Sequence, residues 1–377
     1  MKNSVIMLAI VIGSFALFAV FGALVFATTA PQFGQNPSDS SKATYKDFKY
    51  FNGEKFENAI ETKMDIHAAD FPKMMYEFYF VKGQKEPPAL LPQKNFTKVD
   101  LNLHNDSNLY LRWFGHSAIY LEMAGKRILL DPMLGPAAAP HPYLGPNRFN
   151  KELPMKAEDL PNIDFVVFSH DHYDHLDYQT ILKIKDKVGH FYVPLGVGSH
   201  LIKWGVMEKN ITEMKWWDEL EIEGLRFIST PARHFSGRGL TNRNTTLWSS
   251  WVIQSKYHNI YFSRDGGYWH GFKDIGDKYG PFDFCMMECG AYNKRWHSIH
   301  MYPEETAQAS VDLRAKLMMP IHWGGFNLAL HDWDDSPKRV SVKAADLGIK
   351  LVTPIIGEEV VIPGRTPNEK WWENVSD

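Results

Sequence analysis

Apolar residues follow three regimes along the chain. From Val5 to Ala27 they are nearly unbroken: VIMLAIVIGSFALFAVFGALVFA carries no charge, and Lys2 is the only charged residue before Asp39. As a helix this stretch would be about 35 Å long, enough to cross the hydrocarbon core of a bilayer. A secretory signal is the rival reading, but its apolar region usually runs to only about 7–15 residues. Pro31 would also directly follow a cut after the small residues 28–30. The expectation is an uncleaved transmembrane anchor at residues 1–30, with the membrane contacted through residues 5–27. The lone positive charge at Lys2 leads to the expectation that the remainder lies outside the cytosol.

The second regime, residues 31–107, is irregular. PQFGQNPSDSSKATY is a polar linker with Pro, Gly and Ser. Residues 46–105 mix aromatic and charged residues without a clear period and read as an extension packed on the main domain. The third regime starts at Asn108 with short alternating runs: Leu109–Phe114, Ala118–Met123 and Arg127–Leu130, the last two joined by a turn at Ala124-Gly125. A Gly/Pro-rich loop follows. Then come a strand at Asp164–Phe168, a helix at Tyr178–Lys187, strands in HFYVPL, LRFISTPA, WVIQS, NIYFSRD and FDFCMMEC, a helix at Pro303–Leu317, and a strand in MMPIHW. Glu304 and Glu305 sit in the first turn of the second helix, where its dipole favours negative charge. Strands dominate first and then alternate with helices, so an α/β domain over 108–362 is expected, with two sheets between outer helices and a tail at 363–377.

Composition narrows the picture. Hydrophobic residues make up 44% and charged residues 23%, enough for a sizeable core. The net charge of −3 offers no basic field, so nucleic acid is not an expected partner. Trp216–Trp217 and Trp371–Trp372 read as packing, with a lipid-facing groove as the alternative. Cys285 and Cys289 stand four residues apart on one strand, about 13 Å, too far for a disulfide; both read as core.

The concentrated chemistry lies in FSHDHYDHLD, residues 168–177, directly after the apolar run IDFVVF. One helix cannot use the cluster, because 170 and 174 would share a face while 172 pointed away. If the strand ends near His170 and a turn follows, the strand end presents His170 and His172 to one metal, and the turn presents Asp174 and His175 to a second. Imidazole and carboxylate donors suit Zn²⁺ or another divalent transition metal. Further ligands must come from elsewhere, and His234, Asp265 and His322 each follow a strand-like run.

The run HDHYDHLD is similar to the H-x-H-x-D-H signature of the metallo-β-lactamase superfamily. That resemblance implies a four-layer αββα sandwich with metals at one sheet edge. It assigns His170, His172 and His234 to one ion, Asp174, His175 and His322 to the other, and Asp265 to both. WFGHSAIYLEMAGKRILLDPML, LGPNRF, HDHYDHLDY, VPLG, KWWDE, GAYNKRW, HMYPEE and IHWGGFNLAL resemble the branch of N-acyl-phosphatidylethanolamine-hydrolysing phospholipase D and related bacterial hydrolases, over roughly residues 108–360. By the same resemblance His116 lies near the site, and His300 and His331 line its mouth, where they could bind phosphate or assist proton transfer. Asp131, in LLDP, is a candidate partner fixing a ligand histidine's tautomer. Asp177 reads as a helix cap, and His297 and Glu288 read as surface or structural. One departure stands out: FSRDGGY puts Arg264 and Gly266 around Asp265, where the superfamily usually has Gly before and Ser or Thr after.

Two adjacent ions can bring the pKa of a shared water towards neutrality, so no Ser or Cys nucleophile is needed. The expected cofactors are two divalent metals, Zn²⁺ foremost, and the expected catalytic residues are Asp174, Asp265, His300 and His331. The leading expectation is a phosphodiesterase of phospholipase D type acting on N-acyl-phosphatidylethanolamine-like membrane lipids. The alternatives are a lactonase or other hydrolase of a small ester, a redox di-iron protein, and a non-catalytic metal-binding interaction protein. A homodimer is left open.

Overall fold

The computed structural model describes residues 2–81, 83–101, 106–239 and 241–376. Two seven-stranded sheets stack face to face. In chain order, the first takes β1 (Leu109–Trp113), β2 (Ile119–Met123), β3 (Lys126–Leu130), β4 (Ile163–Val167), β5 (Val188–Pro194) and β6 (Ile211–Met214). The second takes β7 (Glu219–Ile222), β8 (Leu225–Thr230), β9 (Ser250–Gln254), β10 (Asn259–Phe262), β11 (Phe284–Glu288), β12 (Leu317–Ile321) and β13 (Lys350–Leu351). The chain then returns, and β14 (Glu359–Ile362) pairs antiparallel with β1 at the edge of the first sheet.

Period-two alternation decides which side chains meet. On β3, Ile128 and Leu130 face the inter-sheet core while Leu129 faces outward; Phe165 and Val167 face inward on β4 and Val166 outward; on β11, Phe284 and Met286 face inward while Cys285 and Met287 face outward. Amphipathic helices cover the outer faces. Of these, α4 (Tyr178–Ile184) and α5 (Gly198–Lys203) lie on the first sheet, and α6 (Gly271–Tyr279), α7 (Pro303–Asp312) and α8 (Asp335–Asp346) on the second. The arrangement is the expected four-layer αββα sandwich. Both cysteines are buried and unpaired.

The helix expected to reach Leu317 stops at Asp312. Arg314 takes a left-handed backbone (φ 58°), and the chain turns to begin β12 at Leu317. The helix expected over Tyr178–Lys187 ends at Ile184 and tightens into a single 3₁₀ turn. Trp371 and Trp372 are buried in the inter-sheet core, whereas Trp216 is buried in a separate cluster against the N-terminal extension.

Ahead of β1, helix α1 (Lys2–Thr29) is apolar through its Ile10–Thr29 span, long enough to cross a membrane, and none of that span's residues is fully buried. The extension adds the short helix α2 (Asp39–Thr44) and helix α3 (Phe71–Phe80). Its Tyr45, Phe48, Phe51 and Phe56 form an aromatic cluster with Trp216 and Trp248. Phe56 is fully buried there. Phe56→Ala is expected to lower unfolding stability by about 3–5 kcal/mol, the usual cost of deleting a buried phenylalanine ring, measured by thermal or denaturant unfolding.

Candidate metal centre

The metal-ligand candidates collect where strands from both sheets end. His170 to His175 follow β4, His234 follows β8, Asp265 follows β10, and His322 is the first residue after β12. His116 sits in the β1–β2 hairpin, its backbone N–H donating to Trp323 while His322 N–H donates to the His116 carbonyl (2.8 and 3.0 Å). This pair of bonds clamps the two sheets together at the site. His116, Asp131, Arg264 and His322 all have left-handed backbones (φ 56°, 39°, 55° and 67°). Non-glycine residues rarely sit there, and such strain concentrates at functional sites.

Seven expected ligands meet in two adjoining groups. In the first, His170 Nε2 approaches His172 Nδ1 at 2.8 Å, and His234 Nε2 approaches the same nitrogen at 3.4 Å. Asp265 Oδ2 stands 3.8 Å from His170 and 3.9 Å from His234. In the second, Asp174 Oδ2 lies 3.3 Å from His175 Nε2 and 2.9 Å from His116 Nε2. Asp265 joins the groups: its Oδ2 is 3.0 Å from His175 Nε2 and its Oδ1 3.0 Å from His322 Nδ1. The group His170, His172, His234 and Asp265, and the group His116, Asp174, His175 and His322, each place one donor atom per residue within 4.8 Å of the others. Donors about 2 Å from a tetrahedral ion stand roughly 3.3 Å apart, so this crowding fits a metal. Protonation fits as well. Burial holds His170 and His234 well below the usual imidazole pKa and takes His172 down to about 4, keeping all three neutral, the form that binds metal. Only His172 and Asp174 in these groups are partly exposed, which marks the side open to solvent.

Residues 126–323 match the family model described as Beta-lactamase superfamily domain, just over half of the chain. The chain belongs to the metallo-β-lactamase superfamily. Its sequence is 41% identical over 270 residues to an uncharacterised protein of Mycobacterium tuberculosis, covering 71% of this chain and 72% of that one. It is 34% identical over 262 residues to N-acyl-phosphatidylethanolamine-hydrolyzing phospholipase D 1 of Caenorhabditis elegans, covering 66% and 73%. Among solved structures, an isothiocyanate hydrolase from Delia radicum gut bacteria superposes with a TM-score of 0.54 at 22% identity, covering 67% of this chain and 98% of that one. The protein is thus a metal-dependent hydrolase of this superfamily, and its relatives include the phospholipase D branch.

Around the two candidate ligand groups, a shell of buried partners fixes ring orientations. Asp131 is fully buried and accepts from Ser169 N (2.7 Å), from the Ser169 hydroxyl, and from His175 Nδ1 (2.6 Å). Burial opposes a charge on His175, but Asp265, Asp174 and Asp131 together hold its pKa well above the ordinary value. His234 Nδ1 donates to the Ile299 carbonyl at 3.0 Å, leaving Nε2 for the group. Asp177 caps α4, accepting from Thr180 N at 2.8 Å. Asn58, in the extension, holds the backbone of His234 from both sides (2.6 and 3.0 Å).

The remaining polar residues near the site take these surroundings in the fold. Glu288, expected as surface or structural, is fully buried at the end of β11, where it shares a hydrogen bond with His300 Nδ1 at 2.7 Å and accepts from Met301 N at 3.2 Å. A carboxylate ending an apolar strand beside a ligand edge was the available signal. His300 also falls in a group with Asp265 and His322. His331 stands outside both groups: it stacks on Tyr292 at 4.1 Å and lines a narrow cavity shared with His322, Phe326 and Trp333. His297, by contrast, pairs with Glu305 and is half exposed. Arg264 is buried, and its guanidinium has no hydrogen-bond partner among the described residues. Burial lowers its pKa to about 10, while Asp265, Asp131 and Glu288 draw it back up. Its φ of 55° lies in the left-handed region that glycine takes most readily. A cavity of about 610 Å³ lined by Arg127, Asp164 and His190 lies at the opposite edge and holds none of the ligand groups.

Proposed function

We propose that the protein is a phosphodiesterase of phospholipase D type, held at a membrane by residues 1–30, that hydrolyses N-acyl-phosphatidylethanolamine-like lipids. The observation that supports it most is the sharing of Asp265 between two His/Asp groups, together with the likeness to the phospholipase D relative. In this reading His170, His172, His234 and Asp265 hold one ion, and Asp174, His175, His322 and Asp265 hold the second, with Zn²⁺ the first candidate. Two such ions supply Lewis acidity and make hydroxide available from water near neutral pH. The chain's own residues do the rest. Asp131 keeps the His175 ring turned so that Nε2 meets the site, and the Ile299 carbonyl does the same for His234. With Glu288 protonated, as its burial favours, the carboxyl donates to His300 Nδ1, and His300 Nε2–H is then free to hydrogen-bond a phosphoryl oxygen or to give its proton to the leaving alkoxide.

The test is an activity profile of the metal-loaded full chain on N-acyl-phosphatidylethanolamine, phosphatidylethanolamine, and panels of lactones and small esters. Phosphatidic acid released from the first substrate in clear preference to turnover of the others is the expected result. Preferential lactone or ester turnover would replace the lipid reading with that of a small-ester hydrolase.

A further inference from the structure

Three exposed apolar features ring the edge that carries the ligand groups. The first is the end of the apolar helix Lys2–Thr29. It is not free to swing: Trp204 Nε1 donates to the Pro31 carbonyl (2.7 Å), Arg238 donates twice to the Gln32 carbonyl (2.8 and 3.1 Å), and Gln35 N–H donates to His200 Nδ1 (3.0 Å). His200 in turn bonds Asp171, which sits between ligands His170 and His172. The anchor's exit is therefore fastened to the motif loop itself.

The second feature is the Gly/Pro-rich loop after Asp131. Its tip lies beside the anchor, Phe26 meeting His141 ring to ring at 6.5 Å, and Tyr143 there is 92% exposed with Leu144 next to it. The third is the helix Phe71–Phe80. It rests on the domain through Glu77, which pairs with Arg295 at 2.7 Å, and through the flanking chain, where Trp333 N–H donates to Gln84 at 2.8 Å. Arg295 and Trp333 belong to the loops that carry His300 and His331. The opposite side of this helix presents Phe71, Met75, Tyr76 and Phe80 to solvent over half its circumference, Phe80 being 71% exposed. A helix this apolar on its free face is stable only if something covers it.

We infer that this edge docks on a phospholipid bilayer, with the helix Phe71–Phe80 lying in the interface and Tyr143 and Leu144 dipping beside the anchor, so that the metal centre faces the membrane surface. The bilayer is the occupant favoured here because the fastened anchor brings that edge to it, and because an interfacial helix has this composition: an apolar face with aromatics and a charged opposite side. The inference rests on the proposed anchoring of residues 1–30 and adds the surface that receives the lipid.

Depth-dependent quenching tests it without any catalytic assay. Both native cysteines are fully buried, so a thiol-reactive fluorophore labels only introduced sites. The full chain carries one label each at Tyr76→Cys, Met75→Cys, Tyr143→Cys, Phe18→Cys within the anchor, or Glu221→Cys, whose side chain is 82% exposed at the far edge beside the β7–β8 turn. Each is reconstituted in vesicles of phosphatidylcholine and phosphatidylethanolamine with brominated acyl chains. Quenching at 18, 76, 75 and 143 but not at 221 is expected. Quenching at 18 alone would overturn the docking face while leaving the anchor and the hydrolase reading standing. No quenching at 18 would overturn the inference together with the anchor, and the substrate profile would be unaffected by either result.

Discussion

Replacing Asp265 with alanine is expected to lower kcat/KM on the preferred substrate by on the order of a thousandfold, about 4 kcal/mol of transition-state stabilisation. The size follows from position. Among the described residues, Asp265 is the carboxylate that comes within 4 Å of candidate ligand nitrogens in both groups, at 3.0 Å from His175 and His322 and 3.8–3.9 Å from His170 and His234. Its removal deletes a donor from each ion at once. Loss at His170, which serves one group, is expected to be severe but smaller. The fold should persist, because Asp265 follows β10 and contributes nothing to the inter-sheet core. Steady-state kinetics with near-ultraviolet circular dichroism on the same preparations checks both points. A folded variant retaining near-normal turnover would defeat the assigned chemistry.

Asp131→Asn is expected to cost about 10–100-fold in activity or metal affinity, the usual effect of disturbing a carboxylate behind a ligand histidine. Asp131 touches no substrate in this account. Its two oxygens accept from the Ser169 backbone, the Ser169 hydroxyl and His175 Nδ1, all fully buried. An asparagine keeps the shape but exchanges one acceptor for an NH₂ group. If the NH₂ takes the place of Oδ1, Ser169 N loses its acceptor; if it takes the place of Oδ2, the Ser169 hydroxyl and His175 Nδ1 both face a donor, and His175 shifts its proton to Nε2, the nitrogen that meets Asp265 and Asp174. The distinguishing behaviour is partial recovery with added metal, which Asp265→Ala should not show. Activity titrated against metal concentration for the two variants separates them.

Much of this site was legible because its signals are local. Three histidines and two aspartates in six residues after an apolar run could satisfy neither a helix nor a plain strand. His234, Asp265 and His322 each announced themselves as polar residues closing apolar strands, and the two-sheet architecture followed from alternation. What escaped was set by contacts between distant segments. Glu288 reads like any strand-ending carboxylate until His300, twelve residues on, folds back to it. Asn58 bonds His234 across 176 residues, a relation no periodicity carries. The helix Phe71–Phe80 was missed because its apolar residues face outward, so the core-facing stripe used to recognise helices is absent. The early stop of α7 depended on one left-handed residue, Arg314, in a stretch of good helix formers.

The central claim is that two ions sit in the paired groups and share Asp265. It is tested most directly by counting metal in the purified full chain, after dialysis, by elemental mass spectrometry, alongside Asp265→Ala and His331→Ala. The account predicts two divalent ions per wild-type chain, loss of one or both in Asp265→Ala, and an unchanged count in His331→Ala. A wild-type chain that retains no divalent metal, or an Asp265→Ala chain that keeps both, would contradict it.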